Sequence, residues 1–293
     1  MIFFLILFLA LLLFCPELAV AGSKYGITLW LTQLIPTLLP FFILIKLLNV
    51  YLPDTSSRRP FLLLGLLCGY PSGAALVAGQ YSRGVLSERA AYFFLGFVNN
   101  PSPMFVTVFC GHTILHLSTP QAFLLFGLLV LSSFLGSILF YAVFPLFVPA
   151  GRNKKHTKPP APAARPRTDN GMQLMDNAIT ESFAILIRIG GYVALFSILG
   201  QCLYAILPAQ SWYTAPLAGC LEITCGTSYL AVTPVSLPIK KVLMMSILSF
   251  GGFSAAAQTG SVLSSSELSL RCYIINKLIN CLVATGLAFL FYL

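Results

Sequence analysis

Charge is what this 293-residue chain lacks most. Only 9% of its residues are Asp, Glu, Lys or Arg, whereas 58% are hydrophobic and the mean hydropathy is +0.89. Soluble domains carry about 25% charged residues, so the composition excludes a soluble protein. We therefore predict an integral membrane protein that crosses a cell membrane several times.

The chain also lacks the residue patterns of metal centres and membrane enzymes. Its eight cysteines include no Cys-x-x-Cys pair, and His112 and His116 have helical spacing but no third ligand nearby. No His-Glu-x-x-His, Gly-x-Ser-x-Gly or nucleotide-binding motif occurs, and no pair of intramembrane aspartates. We expect no enzymatic activity, no metal and no cofactor.

The charges that are present are mainly basic, giving a net charge of +9, and they cluster in one linker, residues 150–171. Six of the 17 Lys and Arg residues lie there, at Arg152, Lys154, Lys155, Lys158, Arg165 and Arg167. A cytoplasmic loop that follows the positive-inside rule is the simplest interpretation, with contact to anionic lipids as an alternative. Membrane lipids are expected partners, and nucleic acid is not.

The linker divides the chain into two halves. Residues 1–21 are predicted to form an N-terminal transmembrane helix, retained as a signal anchor, with a cleaved signal peptide as the alternative. Residues 22–149 form a first repeat with an extra span, and residues 172–293 form a second repeat with a final span. The predicted fold class is all-α, with about seven transmembrane helices plus two re-entrant helical hairpins.

Helix-breaking residues interrupt four of the apolar segments. Asn99-Asn100-Pro101-Ser102-Pro103 and Gly251-Gly252 lie inside segments that otherwise resemble membrane helices. Broken backbone at this depth is tolerated only where protein or a water-filled cavity satisfies the freed polar groups. Residues 61–80 and 215–232 have polar centres, and their halves are too short to cross a core about 30 Å thick. We predict a re-entrant hairpin for each, with a kinked spanning helix as the alternative.

The order of these features repeats along the chain. Asn99-Asn100-Pro101-Ser102 matches Gly251-Gly252-Phe253-Ser254, and Cys68-Gly69 matches Cys225-Gly226. With the basic linker in the cytoplasm, equivalent spans run in opposite directions, although Lys240-Lys241 then falls outside. Inverted repeats with broken helices and paired hairpins are the architecture of secondary transporters, whose substrate site lies near the midplane between the repeats.

The candidate substrate-binding residues come from the four breaks. Asn99 and Asn100 offer amide donors and acceptors to a polar or anionic ligand, or alternatively cap the helix break. Glu222 is an ionisable group at hairpin depth, which costs about 2.5 kcal/mol or more and is functional by default. It is expected to couple protons or bind a cation, with an interfacial position as the alternative. The predicted set is Asn99, Asn100, Ser102, Gly69, Ser72, Gly73, Glu222, Thr224, Gly226, Gly251, Gly252, Ser254 and Gln258.

Several of these motifs also carry a family resemblance. They are Leu38-Leu39-Pro40-Phe41-Phe42, Gly69-Tyr70-Pro71-Ser72-Gly73, Asn99-Asn100-Pro101-Ser102-Pro103, Glu222-Ile223-Thr224-x-Gly226, and Phe250-Gly251-Gly252 with Gln258. The chain resembles the YlbJ-type sporulation integral membrane proteins over nearly its whole length. That family carries the nucleoside-recognition Gate domain, which is distantly similar to the core of concentrative nucleoside transporters. In an endospore former the resemblance implies a role in spore maturation, where the family is associated with moving dipicolinic acid across the outer forespore membrane.

Two classes of function follow. The leading one is a secondary transporter for a small polar or anionic solute, with dipicolinate as the candidate in a sporulating bacterium and a nucleoside-like solute as an alternative. The competing one is a non-transporting membrane factor needed for spore maturation. Assembly as a homo-oligomer stays open.

Overall fold

A computed structural model describes residues 2–51, 64–147, 171–207, 211–264 and 266–293. Throughout these ranges every regular element is a helix, which confirms the all-α fold class. Residues 150–170 of the predicted basic linker, and residues 61–63 of the first predicted hairpin, lie outside the described parts of the chain.

Each half contains short, interrupted helices in its middle and ends with a long helix. The first half contains α1 (Ile2–Phe14), α2 (Pro16–Leu29), α3 (Ile35–Tyr51), α4 (Ser72–Ser82), α5 (Glu88–Val98) and α6 (Thr119–Val143). The second half contains α7 (Gly171–Ile206), α8 (Thr214–Leu221), α9 (Ile223–Val232), α10 (Leu237–Phe250), α11 (Gly252–Leu263) and α12 (Leu270–Tyr292). A π-helical turn, Trp30–Leu34, joins α2 to α3, and a π-helix, Phe105–Ile114, follows α5.

Five of the described helical stretches are long and apolar enough to cross a membrane. They are Pro16–Leu48, Thr119–Leu146, Gly171–Ile206, Leu237–Leu263 and Leu270–Tyr292. The protein is therefore a multi-pass integral membrane protein. The remaining two of the seven predicted spans do not reach spanning length as single helices.

The N-terminal region differs from its predicted division. The predicted boundary after residue 21 falls inside α2, and the break lies instead at Cys15, whose backbone is not helical. The break occurs here because Pro16 has no amide hydrogen and favours the first position of a helix. With 13 residues, α1 is about 20 Å long and falls short of a core of about 30 Å.

The long helices of the two halves pack against each other in antiparallel fashion. Gly22 lies against Ile198, and Gly26 lies against Ala194 at the next turn. Farther along, the ring of Trp30 lies against Gly190 and donates a hydrogen bond to the carbonyl of Leu186 at 2.8 Å. Glycine permits this close approach, which drives helix association in lipid through van der Waals packing.

The final helices of the two halves, α6 and α12, also run antiparallel. Gly136 lies against Asn280, and one turn on Phe140 shares a buried cluster with Tyr273. The shorter elements contact one another reciprocally. The α4 helix packs on α11, and the equivalent contact is that of the π-helix Phe105–Ile114 with α9. Likewise, α5 contacts α12, and the equivalent contact is that of α10 with α6. Reciprocal contacts between antiparallel equivalents are the arrangement expected of an inverted repeat.

One predicted correspondence between the halves is wrong in register. Gly69 lies at the break before α4 with a φ of 67°, whereas Cys225 and Gly226 lie within the first turn of α9. The tips that correspond by their place in the fold are Tyr70-Pro71 and Glu222. Gly69 provides a left-handed backbone conformation, whereas Gly226 provides a small surface, so the two glycines serve different needs.

The second hairpin depends on contact between two glycines. A Cβ atom at Gly226 would collide with the backbone of Gly219 on α8. We expect Gly226→Ala to destabilise the protein by about 1–3 kcal/mol and to lower its Tm by about 2–10 °C in detergent. The control is Gly286→Ala in α12, where a Cβ meets no atom within 4 Å. Equal Tm values for the two variants would contradict close packing of α8 on α9.

Candidate substrate cavity

A cavity lies where the two hairpin tips meet the two broken helices. The centre of a water-sized molecule can reach about 40 Å³ of it. The predicted site residues in its wall are Gly69, Ser102, Glu222, Thr224, Gly251, Ser254 and Gln258. All four breaks thus contribute to one site, although they are spread over nearly 190 positions of the chain.

The rest of the wall is largely apolar. Leu38 and Phe42 of α3, in the first half of the chain, line the cavity. Ile189 and Val193 of α7, in the second half of the chain, also line it. The polar groups belong to the tips and breaks, so the cavity combines apolar surfaces with a limited number of polar positions. Sites for small organic molecules commonly have this character.

Glu222 occupies the tip of the second hairpin and is 3% exposed. One of its carboxylate oxygens accepts a hydrogen bond from the amide of Cys225 at 2.8 Å, and the other accepts one from the hydroxyl of Thr224 at 3.0 Å. The side chain is therefore the N-cap of α9, where the helix dipole favours negative charge. Its place is an interior one, in the wall of the cavity.

Asn99 is fully buried and joins three helices rather than lining the cavity. Its Oδ1 accepts a hydrogen bond from the amide of Ala74 at the start of α4, at 3.1 Å. Its Nδ2 donates to the hydroxyls of Thr259 in α11, at 2.9 Å, and Tyr273 in α12, at 3.0 Å. In this conformation Asn99 stabilises the helix break, as the capping alternative proposed.

Asn100 is also engaged with protein groups. Its Nδ2 donates to the carbonyl of Phe97 at 2.7 Å, and its Oδ1 accepts from Lys277 at 2.8 Å and from Ser133 at 3.2 Å. Its own carbonyl accepts a hydrogen bond from the amide of Tyr70 at 3.1 Å. This last bond connects the first helix break to the tip of the first hairpin.

The other predicted residues outside the cavity wall lie at helix starts and close contacts. Ser72 is the first residue of α4, and Gly73 lies against the backbone of Val98 and Asn99. Gly226 approaches Gly219, and Gly252 approaches the carbonyls of Gly219 and Leu221. These glycines allow neighbouring helices and loops to pack closely. Close packing explains why glycine occurs at these positions, and contact with a ligand is not needed to explain it.

Three of the short helices at this site begin with a side-chain cap, and the fourth does not. Asn99 accepts from the start of α4, Ser102 accepts from the amide of Phe105 at 3.3 Å, and Glu222 caps α9. The start of α11 at Gly252 has no side-chain cap, and Gly251 before it lines the cavity. The first amides of a helix lack partners within the helix and favour an acceptor.

Two further polar groups in the cavity wall are buried without a hydrogen-bond partner: the hydroxyl of Tyr70 and the Oε1 of Gln258. Sequence reasoning included Gln258 but missed Tyr70, because a tyrosine in a hairpin motif is unremarkable by itself. It also missed Lys277, although a lysine inside the last span is a local and readable signal of function. Buried polar groups without partners suit a ligand that supplies the missing bonds.

Comparison with known proteins adds one relative. The chain is similar to the sporulation integral membrane protein YlbJ of Bacillus subtilis (strain 168), with 26% identity over an alignment of 318 positions that covers 90% of this chain and 75% of the relative. No family model and no solved structure matches the chain. The Gate-domain part of the resemblance therefore stays a prediction. The similarity over nearly the whole chain confirms the resemblance to the YlbJ-type sporulation integral membrane proteins that the motifs indicated.

Proposed function

We propose that the protein is a secondary transporter that binds a small polar or anionic solute in the cavity between its hairpin tips. The observation that carries this proposal is the convergence of all four breaks on one cavity that contains a buried carboxylate, Glu222. Broken helices at an inverted-repeat interface are where secondary transporters bind substrates and coupling ions. The reciprocal contacts of the two halves support this architecture.

The distribution of polar groups suggests how a solute is held. The uncapped start of α11 and the hydroxyl of Tyr70 offer donors, whereas Glu222 and the Oε1 of Gln258 offer acceptors. Leu38 and Phe42 supply an apolar surface for the body of the solute. A planar ring with a carboxylate or carbonyl edge matches this combination, and dipicolinate and nucleosides both belong to this class.

Glu222 has a particular part in the transport of an anion. A negative carboxylate in the cavity opposes an anionic solute, and no Lys or Arg is among the described residues that line the cavity. Protonation of Glu222 removes the repulsion, so each anion that enters brings a proton with it. This is the proton coupling that an ionisable intramembrane group commonly provides.

The name of the relative places it in sporulation and in a membrane, without a substrate. We extend the sporulation role to this chain, with the outer forespore membrane as its location in a spore-forming source. Because that name specifies no transport, a non-transporting membrane factor needed for spore maturation is the competing function. It predicts normal sporulation in cells whose protein inserts in the membrane but carries altered cavity residues.

Uptake by proteoliposomes tests the proposal. We expect saturable uptake of dipicolinate or of a nucleoside such as uridine, stimulated by a proton gradient.

Tyr70→Phe removes one unpartnered donor without changing the ring, and we expect it to raise the half-saturating concentration about tenfold, the equivalent of about 1.4 kcal/mol. Tyr204→Phe is the matched control, because Tyr204 stacks on Tyr229 away from the cavity. Correctly folded protein that takes up neither solute would refute transport of this class.

A further inference from the structure

Lys277 is a buried lysine that the proposed transport cycle does not use. It lies in the last spanning helix, α12, and is 1% exposed. Its Nζ lies 2.8 Å from the Oδ1 of Asn100 and 3.5 Å from the main-chain carbonyl of Asn99. Among the described residues, the salt bridge is the one between Lys46 and Glu181. No carboxylate of the described residues therefore lies within 4 Å of the Lys277 ammonium. A buried lysine without a counter-ion requires an explanation.

The position of the ammonium group supplies that explanation. Asn99 is the C-cap of α5, so its carbonyl belongs to the negative end of a half-helix. Unwound carbonyls and half-helix C-termini at the midplane of secondary transporters are the groups that coordinate a coupling cation. Asn100 adds an amide oxygen to the same place. The first helix break thus offers oxygen ligands for a cation, and the ammonium of Lys277 occupies them.

We propose that Lys277 is a built-in cation, which takes the place of a bound Na⁺ or K⁺ at the first helix break. Its charge holds Asn99 and Asn100 in position, and Asn100 in turn accepts the amide of Tyr70 at the cavity. The counterpart of α12 in the first half, α6, contains no Lys or Arg. If the protein is the transporter proposed above, its uptake needs no sodium gradient.

Thermal unfolding in detergent tests the built-in cation without any solute. We expect the Tm of the unaltered protein to be the same in NaCl, KCl and N-methylglucamine chloride at equal ionic strength. We expect Lys277→Met, which keeps the length of the side chain and removes its charge, to lower the Tm by about 5 °C. A rise in the Tm of the unaltered protein with Na⁺ or K⁺, or an unchanged Tm in Lys277→Met, would overturn the proposal.

A vacated site gives a sharper readout, which a merely structural lysine would not produce. Lys277→Ala leaves space beside the oxygens of Asn99 and Asn100, so we expect its Tm to rise when Na⁺ or K⁺ replaces N-methylglucamine. Lys277→Met fills that space and should not respond. An alanine variant that ignores both metal ions would show that these oxygens form no cation site. Because these measurements need no substrate, their failure leaves the transport proposal standing, and a failure of uptake leaves them unaffected.

Discussion

Glu222→Ala is expected to abolish the stimulation of solute uptake by a proton gradient in proteoliposomes. Alanine removes the only acidic side chain among the described residues that line the cavity, and with it the proposed carrier of the coupled proton. It also removes the N-cap of α9, whose loss costs about 0.5–2 kcal/mol. The measurement is the initial rate of uptake with and without a proton gradient, normalised to the amount of folded protein.

A second substitution at Glu222 separates its charge from its capping role. Glutamine retains an oxygen that can accept the amide of Cys225, so we expect Glu222→Gln to keep the Tm of the unaltered protein within about 3 °C. It cannot release a proton, however, and uptake should no longer respond to a proton gradient. The matched control is Glu181→Gln, since the Glu181 side chain is 60% exposed and pairs with Lys46 on the surface. Proton-stimulated uptake by Glu222→Gln would show that another group couples transport to protons.

Local sequence features predicted much of the fold because a membrane makes them costly elsewhere. Pro101 and Gly251 interrupt apolar helices, and the structure breaks at both places. The polar centres of the hairpins likewise became tips, at Tyr70-Pro71 and at Glu222. Each of these predictions depends only on neighbouring residues and on the rule that freed backbone groups in lipid must be satisfied.

The roles of individual side chains depend on partners that are distant in sequence. Asn99 bonds to residues 160 and 174 positions away, and no local pattern reveals that its amide is already occupied. The predicted match between Cys68-Gly69 and Cys225-Gly226 failed for a related reason. Gly69 is needed for its left-handed backbone, whereas Gly226 is needed for close packing on Gly219. Lys277 differs from these cases, since its position inside a span was readable from the sequence alone.

The buried amide of Asn99 provides the largest expected effect on stability. Asn99→Leu preserves the approximate volume but removes three hydrogen bonds, to the Ala74 amide and to the hydroxyls of Thr259 and Tyr273. Buried polar groups left without partners cost about 1–3 kcal/mol each in water-soluble proteins, whereas hydrogen bonds within membranes average about 0.6 kcal/mol. We expect a total loss of about 2–5 kcal/mol, measured as a fall in Tm of about 5–15 °C in detergent.

A double-mutant cycle distinguishes this stabilising role from direct contact with a ligand. Thr259→Val removes one partner of Asn99 with little change in shape, so the effects of Asn99→Leu and Thr259→Val on stability should overlap rather than add. If Asn99 instead bound the solute directly, Asn99→Leu would leave the Tm nearly unchanged and raise the half-saturating concentration for uptake. That outcome would show that the solute binds at the first helix break. A fall in Tm with coupling between the two sites would instead show that the paired amides build the break, leaving solute recognition to the cavity lined by Tyr70, Glu222 and Gln258.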